Sequence, residues 1–289
     1  MSKAPQVNIR VRPPDWKLPP GVAPGTWDYA HSDSIADDYE AFLASTPLAQ
    51  LDLSWLTDLL PKTDRPAALV ADLGCGTGRT AEPLRQLGYR LLGIDRSQQM
   101  LSHAARQGAT WSTAQRPLLV RANLVTLDCL ADGCVDHAIC LFSTLGMVRS
   151  RSHRREVLRQ AARIVRPGGQ LLLHCHNRWA ALRDPGGAAH LWRSWWQARR
   201  DPAADFGDRT YAYRGLPNMY LHSFGRRELL LDLKASGWRV QRMVPLRIEG
   251  DRPLAAGWFM GGLRAGGFMV LAGRTADTGH AAWPTLAAK

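Results

Sequence analysis

Between residues 67 and 175 the chain repeats one unit, a short and nearly unbroken apolar run followed by an amphipathic stretch. The runs are ALVADL (68–73), RLLGID (90–95), PLLVRA (117–122), HAICLF (137–142) and QLLLHC (170–175). Four to seven continuous apolar residues suit a strand covered on both faces, and a strand of that kind belongs in a parallel sheet flanked by helices. Between the runs lie helical patterns at 79–87, 97–107 and 152–165, the last ended by RPGG (166–169). The stretch 123–131 reads as neither helix nor strand. Repeated βα units of this length predict an α/β fold: a doubly wound, mostly parallel, Rossmann-like sheet.

The rest of the chain departs from that rhythm. Six prolines in residues 1–25 predict an arm or an ordered strap, and 33–46 and 48–60 read as helices, the second stopped by Pro61. Residues 177–218 carry no strand signal and are rich in Trp and Arg, so an inserted cap is expected there. A helix over 224–237 precedes two late strands, WRVQRMVPLRI and GGFMVLAGR, expected to pair antiparallel. The organisation expected is a flexible N-terminal arm (1–30), one catalytic domain (31–273) with the cap inserted at about 177–218, and a C-terminal tail (274–289).

Composition narrows the surroundings. No stretch approaches eighteen uninterrupted apolar residues and the N-terminus has no apolar signal core, so neither a membrane span nor a secretory signal is expected. Five scattered cysteines (Cys75, Cys129, Cys134, Cys140, Cys175) without a CxxC pair point to reduced thiols and a cytoplasmic setting. The formal net charge is +12, but arginine supplies 32 of the 37 basic residues, a bias that a GC-rich genome produces without any polyanionic partner.

The first run leads into DLGCGTG (72–78). A triphosphate-binding loop needs GxxxxGK[ST], which is absent. A dinucleotide loop needs GxGxxG; here the glycines are Gly74, Gly76 and Gly78, and Arg79 stands where the third glycine belongs. An acid, Asp72, precedes the turn. This pattern closely resembles motif I of the class I S-adenosylmethionine-dependent methyltransferases, and further segments resemble the same family in order. GIDRSQQML places Asp95 at the end of the second strand, 23 residues after Asp72. The resemblance implies that Asp95 takes both ribose hydroxyls, as a bidentate carboxylate can, with Arg96 and Met100 beside the adenine. It places Asn123 and Leu124 where the family often has Asp-Ala, Leu141 beside the methionine end, and Asp72, Gly74, Cys75, Gly76 and Gly78 at the cofactor turn. Asp136 and RPGG fall in register with the rest. The resemblance covers residues 65–176 closely and the later helix and strands loosely.

The resemblance implies methyl transfer from S-adenosylmethionine to an O, N or C nucleophile of a small-molecule acceptor. Such an in-line displacement mainly asks for alignment and exclusion of water, with a base only where the acceptor must lose a proton. His176, emerging at the C-terminal end of the fifth strand on the same face as His174, is the first candidate base, and His222 is the second; either is equally a histidine satisfied by structural hydrogen bonds. No metal site is expected. Tyr29 and Tyr39 resemble aromatics that close over the cofactor in relatives, or belong to plain core. Trp192, Trp195 and Trp196, at helical spacing, line an acceptor pocket, dock the cap or form a membrane-surface helix. Arg151, Arg155, Arg159 and Arg163 recur every four residues; they make a solvated face or, with YLHSFGRREL resembling a segment of tRNA-modifying relatives, a rail for tRNA. A dehydrogenase and a non-catalytic cofactor-binding domain are the remaining alternatives.

Overall fold

A computed structural model describes residues 12–32, 35, 39, 43 and 45–275. Most of the expected helix over 33–46, and nearly all of the C-terminal tail, lie outside the described residues. Strands β1 (Leu69–Leu73), β2 (Arg90–Asp95), β3 (Leu118–Arg121), β4 (His137–Cys140), β5 (Gln170–His176), β8 (Trp238–Leu246) and β9 (Gly267–Arg274) form one sheet in the order β3-β2-β1-β4-β5-β9-β8. Neighbours in the first five are parallel, and β9 runs antiparallel to both β5 and β8. The chain order reverses between β1 and β4. There the C-terminal ends of two strands diverge and leave a crevice.

Register explains why the runs are apolar throughout. Val70, Leu91, Ile139 and Leu172 project to one face, against Leu56 and Trp55 of α2 (Pro47–Leu59) and Leu84 of α3 (Ala81–Gln86). Ala71, Leu92, Ala138 and Leu171 project to the other, against Leu158 and Ala161 of α5 (Arg151–Ile164) and Leu229 and Leu233 of α7 (Arg226–Ala235). Both faces are covered, so alternation of polar and apolar residues disappears. Helix α4 (Gln98–Gln107) starts at Ser97, whose hydroxyl accepts from Met100 N–H at 3.3 Å, and α5 starts at Ser150, which accepts from His153 N–H. The stretch 123–131 is a turn.

Two regions differ from expectation. The cap contains α6 (Gly187–Arg200), but it is followed by an antiparallel hairpin, β6 (Asp208–Tyr213) and β7 (Leu216–His222). Arg214 and Gly215 both have positive φ at its tip, the two-residue turn that matches strand twist. Pro217 is tolerated because β7 has a partner on one side only. Residues 24–30, expected in the arm, form α1 (Pro24–Ala30), pressed onto β7 so closely that a Cβ on Gly25 would lie 1.8 Å from the Asn218 carbonyl. The cap leaves and rejoins the domain at one point: Phe224 N–H donates to His176 O at 2.8 Å, and Arg178 N–H donates to Phe224 O at 3.0 Å. Near the end of the domain, the Gly-rich link between β8 and β9 holds the short helix α8 (Gly261–Arg264).

Candidate active site

The turn after β1 and the end of β2 form one hydrogen-bonded unit. Asp95 Oδ2 accepts from Gly76 N–H at 2.9 Å and Oδ1 accepts from Ser97 N–H at 2.8 Å. Each oxygen keeps a second lone pair for a ligand. Burial raises the Asp95 pKa, and the N–H groups of Ser97, Gly76 and Arg96 pull it back. Gly76 has φ +53°, and a Cβ there would meet only Tyr39, at 3.4 Å. The space above it is thus open cavity that a side chain would fill.

That cavity is lined by Gly74, Gly76, Asp95, Arg96, Met100, Asn123 and Leu124, with Tyr29, Tyr39, Thr26, Thr144 and Val148. It offers what a nucleoside needs: a paired acceptor at one end, apolar walls from Met100, Leu124 and Val148, and side-chain-free backbone at Gly76. Seven of the expected cofactor residues meet here. Tyr29 and Tyr39 share a hydrogen bond over it.

The other four do not line it. The Asp72 carboxylate is buried and accepts from Thr80 Oγ1 at 2.6 Å, its pKa raised to about 6 chiefly by burial; it braces the turn from beneath. The Cys75 side chain packs on Gly93 of β2, and Gly78 is bare because α4 passes there, a Cβ falling 2.9 Å from that of Ala104. Leu141 points into the α2–α3 core. Asn123 does line the cavity, but its Nδ2–H donates to Pro20 O at 2.9 Å and its Oδ1 accepts from Val125 N–H at 3.2 Å. It ties down the segment before α1 as well as facing a ligand.

A second cavity, of about 310 Å³, opens at the C-terminal end of β5 between the core and the cap. His176 lies at its wall. It is half-buried, and burial first, then His174, push its pKa down to about 3, so the ring is neutral. Beneath it His174 stacks edge-on at 5.3 Å between ring centroids. Cys175 turns to the opposite face, into the core. His222 does not reach the cavity wall. It is fully buried with Nδ1 2.7 Å from Asp208 and Nε2 3.0 Å from Glu228, and burial pushes its pKa to about 4. Both nitrogens are spent holding β7 to α7, which removes it as a base.

Sequence reasoning missed Asp52 and the role of Arg79. Asp52, wholly buried on α2, accepts from Arg79 at 2.9 Å and from Phe142 N–H at 2.9 Å. Burial raises its pKa to about 6 against the pull of Arg79. This ion pair fastens α2 to the glycine turn, which is why an arginine follows Gly78. An acid at position 52, on the face shared by Ala49, Trp55 and Leu56, was the available signal.

The tryptophans of α6 do not line the second cavity; His190 and Leu191 do. Trp192 and Trp196 are exposed, Trp192 stacking on Trp195 and Trp196 meeting it edge-on, while Arg199 and Arg200 lie over the rings of Trp195 and Trp196. Each arginine of the row on α5 is paired within the chain. Arg151 and Arg155 both pair with Asp232, Arg159 with Glu156, and Arg163 with Asp132. Asp136 sits at the opposite end of the sheet, where Arg65 and Arg166 pair with it and Leu69 N–H donates to it at 2.7 Å. No helix among the described residues is long and apolar enough to cross a membrane.

A Rossmann-like sheet with a glycine turn, an acid closing the next strand and a nucleoside-shaped cavity between them defines a class of nucleoside-cofactor enzymes. Residues 70–169 match the family model described as a methyltransferase domain, and the chain has the fold of the S-adenosylmethionine-dependent methyltransferases. Its fold is similar to that of the CcbJ methyltransferase of Streptomyces caelestis, with a TM-score of 0.59 and 20% identity, covering 84% of this chain and 96% of that one. It is similar also to the 1,6-didemethyltoxoflavin-N1-methyltransferase of Burkholderia thailandensis, with a TM-score of 0.57 and 16% identity, covering 90% and 93%. In sequence it is 30% identical over 135 residues to glycine N-methyltransferase of Mus musculus, covering 43% of this chain and 45% of that one. The chain spans about half the length of the curated relatives it matches.

Proposed function

We propose that this protein methylates an O, N or C nucleophile on a small molecule held between the cap and the end of β5. The observation that carries the reading is the link between two cavities: Thr144 lines the one at Asp95 and Gly76, and Ser143 beside it accepts through Oγ, at 3.2 Å, from the N–H of His176, which walls the half-open cavity where the cap meets the domain. When bound, S-adenosylmethionine supplies an electrophilic methyl group on a sulfonium, so the leaving group needs no activation. Asp95 orients the ribose, and the Tyr29–Tyr39 pair excludes water from above. His176, neutral and unprotonated on one ring nitrogen, accepts a hydrogen bond from the acceptor's O–H or N–H. That aims its lone pair along the line of displacement, and a proton shed at that atom has the imidazole within reach.

Curated relatives and structural neighbours whose acceptors are small molecules favour this class of substrate. A tRNA rail on α5 gains no support, because each of its four arginines is already paired with a carboxylate of this chain. The free cysteines suit a reducing, cytoplasmic setting. The test is calorimetric titration with S-adenosylhomocysteine, followed by a screen of small acceptors for methyl incorporation, with total tRNA run in parallel at low and high salt. Failure to bind the homocysteine product sinks the reading. Salt-sensitive methylation of tRNA replaces the small acceptor with RNA.

A further inference from the structure

The second cavity carries more positive charge than its own residues neutralise. Arg178, Arg183 and Arg209 line it with His176 and His190, and Asp184 is its one carboxylate. Two of the arginines are committed. Arg178 pairs with Glu228 and lies 4.4 Å over the Phe206 ring, and Arg183 donates to the Arg264 carbonyl at 2.9 Å. Arg209, on β6, is different. It lies 5.4 Å over the Tyr211 ring, and its nearest carboxylate is Asp184, 3.8 Å away on a side chain that is 62% exposed. A contact of that length between exposed groups is worth little in water.

The histidines register the same field. The pKa of His190 is lowered by burial, then by Arg209 and Arg193, and Arg209 contributes to the lowering at His176. Half-enclosed positive charge with so little internal compensation is stabilised when an anion enters. Around it stand Tyr211, Leu221, Leu191 and Ile248, apolar or aromatic surfaces suited to a flat organic body.

We propose that the acceptor is a small, largely apolar acid, its carboxylate or similar oxyanion held by Arg209 and His190 and its nucleophile turned toward His176. The proposal rests on the methyltransferase reading above. Arg209 thus sets specificity and takes no part in methyl transfer itself.

The test uses the full chain saturated with S-adenosylhomocysteine and titrated with benzoate, phenyl phosphate and neutral benzamide. Binding is followed through the His190 and His176 ring resonances. One of the acids is expected to bind about tenfold more tightly than benzamide, in keeping with one charge-assisted contact, and to raise the His190 pKa. The better acid distinguishes carboxylate from phosphate. Arg209→Gln should bring the acid-to-amide ratio close to one with unchanged affinity for S-adenosylhomocysteine, and Arg209→Lys should keep part of the preference. Equal binding of acid and amide, no binding of either acid, or a preference that survives Arg209→Gln overturns the proposal. If S-adenosylhomocysteine itself does not bind, the methyltransferase reading has failed instead.

Discussion

The carboxylate of Asp95 accepts the backbone N–H of Gly76 across the gap between β2 and the turn after β1. The residue expected to hold the ribose therefore also shapes the loop beneath it. Asp95→Ala removes both functions and should weaken S-adenosylhomocysteine binding by about a hundredfold or more. Asp95→Asn, which keeps one acceptor oxygen, should lose less. Calorimetry on both variants checks this, with circular dichroism to show that the sheet persists. An unaltered affinity in Asp95→Ala would remove Asp95 from the cofactor site.

Gly76 and Gly25 are both bare for steric reasons, but in different places. Above Gly76 there is cavity, so Gly76→Val should abolish cofactor binding while costing the fold only the strain of a side chain at φ +53°. Below Gly25 there is backbone, so Gly25→Ala should pry α1 from β7 and destabilise the protein by about 1–3 kcal/mol. Denaturant midpoints and product affinity, measured on both variants, should separate cleanly into these two patterns.

Asp52 and Arg79 form an ion pair whose carboxylate is wholly out of water. Asp52→Ala leaves the arginine unpaired and frees the Phe142 N–H, and should cost about 3–5 kcal/mol in urea unfolding. Arg79→Met should cost less than that, because burial then favours a protonated Asp52. A double-mutant cycle giving no coupling between the two would refute the role of this pair in anchoring α2.

His174 gives the acid limb of stability a definite sign. Its pKa is pushed down to about 3 by burial first and by Arg79 second, whereas the unfolded ring titrates near 6.5. The folded protein thus refuses a proton that the unfolded chain takes up. This contribution is complete above pH 6.5 and drains away as pH falls toward 3. Between pH 7 and 5 it amounts to about 2 kcal/mol. Asp52 and Asp72, raised to about 6, act in the opposite sense over roughly pH 4–6, but they are common to wild type and His174→Gln. The variant should therefore lose less stability than wild type over that interval. Parallel losses would show that His174 titrates normally.

Much of this was legible from residue order. The five apolar runs are the five parallel strands, because a strand covered on both sides has no polar face to conceal it. Asp95, Gly76, Met100 and Leu124 line one cavity, since each ends a strand or lies in the turn or first helical turn that follows one, and register places the strands. The hairpin β6–β7 was not legible: Pro217 and Asn218 lower its strand propensity, and a two-stranded ribbon needs only half the pairing that would forbid them. His222 misled for a related reason. Its neighbours Asp208 and Glu228 are 14 and 6 residues away along the chain, and only the folded cap shows that both ring nitrogens are taken.

The narrow neck of the cap has a consequence for redesign. The chain departs after His176 and returns at Phe224 through two backbone hydrogen bonds between adjacent segments. The part of the cap ahead of the hairpin is therefore a cassette whose length and content leave the strand ladder in register. Grafting a different segment in place of α6 and its flanking loops should alter which molecule is modified while β7 keeps α1, and with it Thr26 and Tyr29, at the nucleoside cavity. On the proposed function, the surface most open to change in this protein is thus also the one that chooses its substrate.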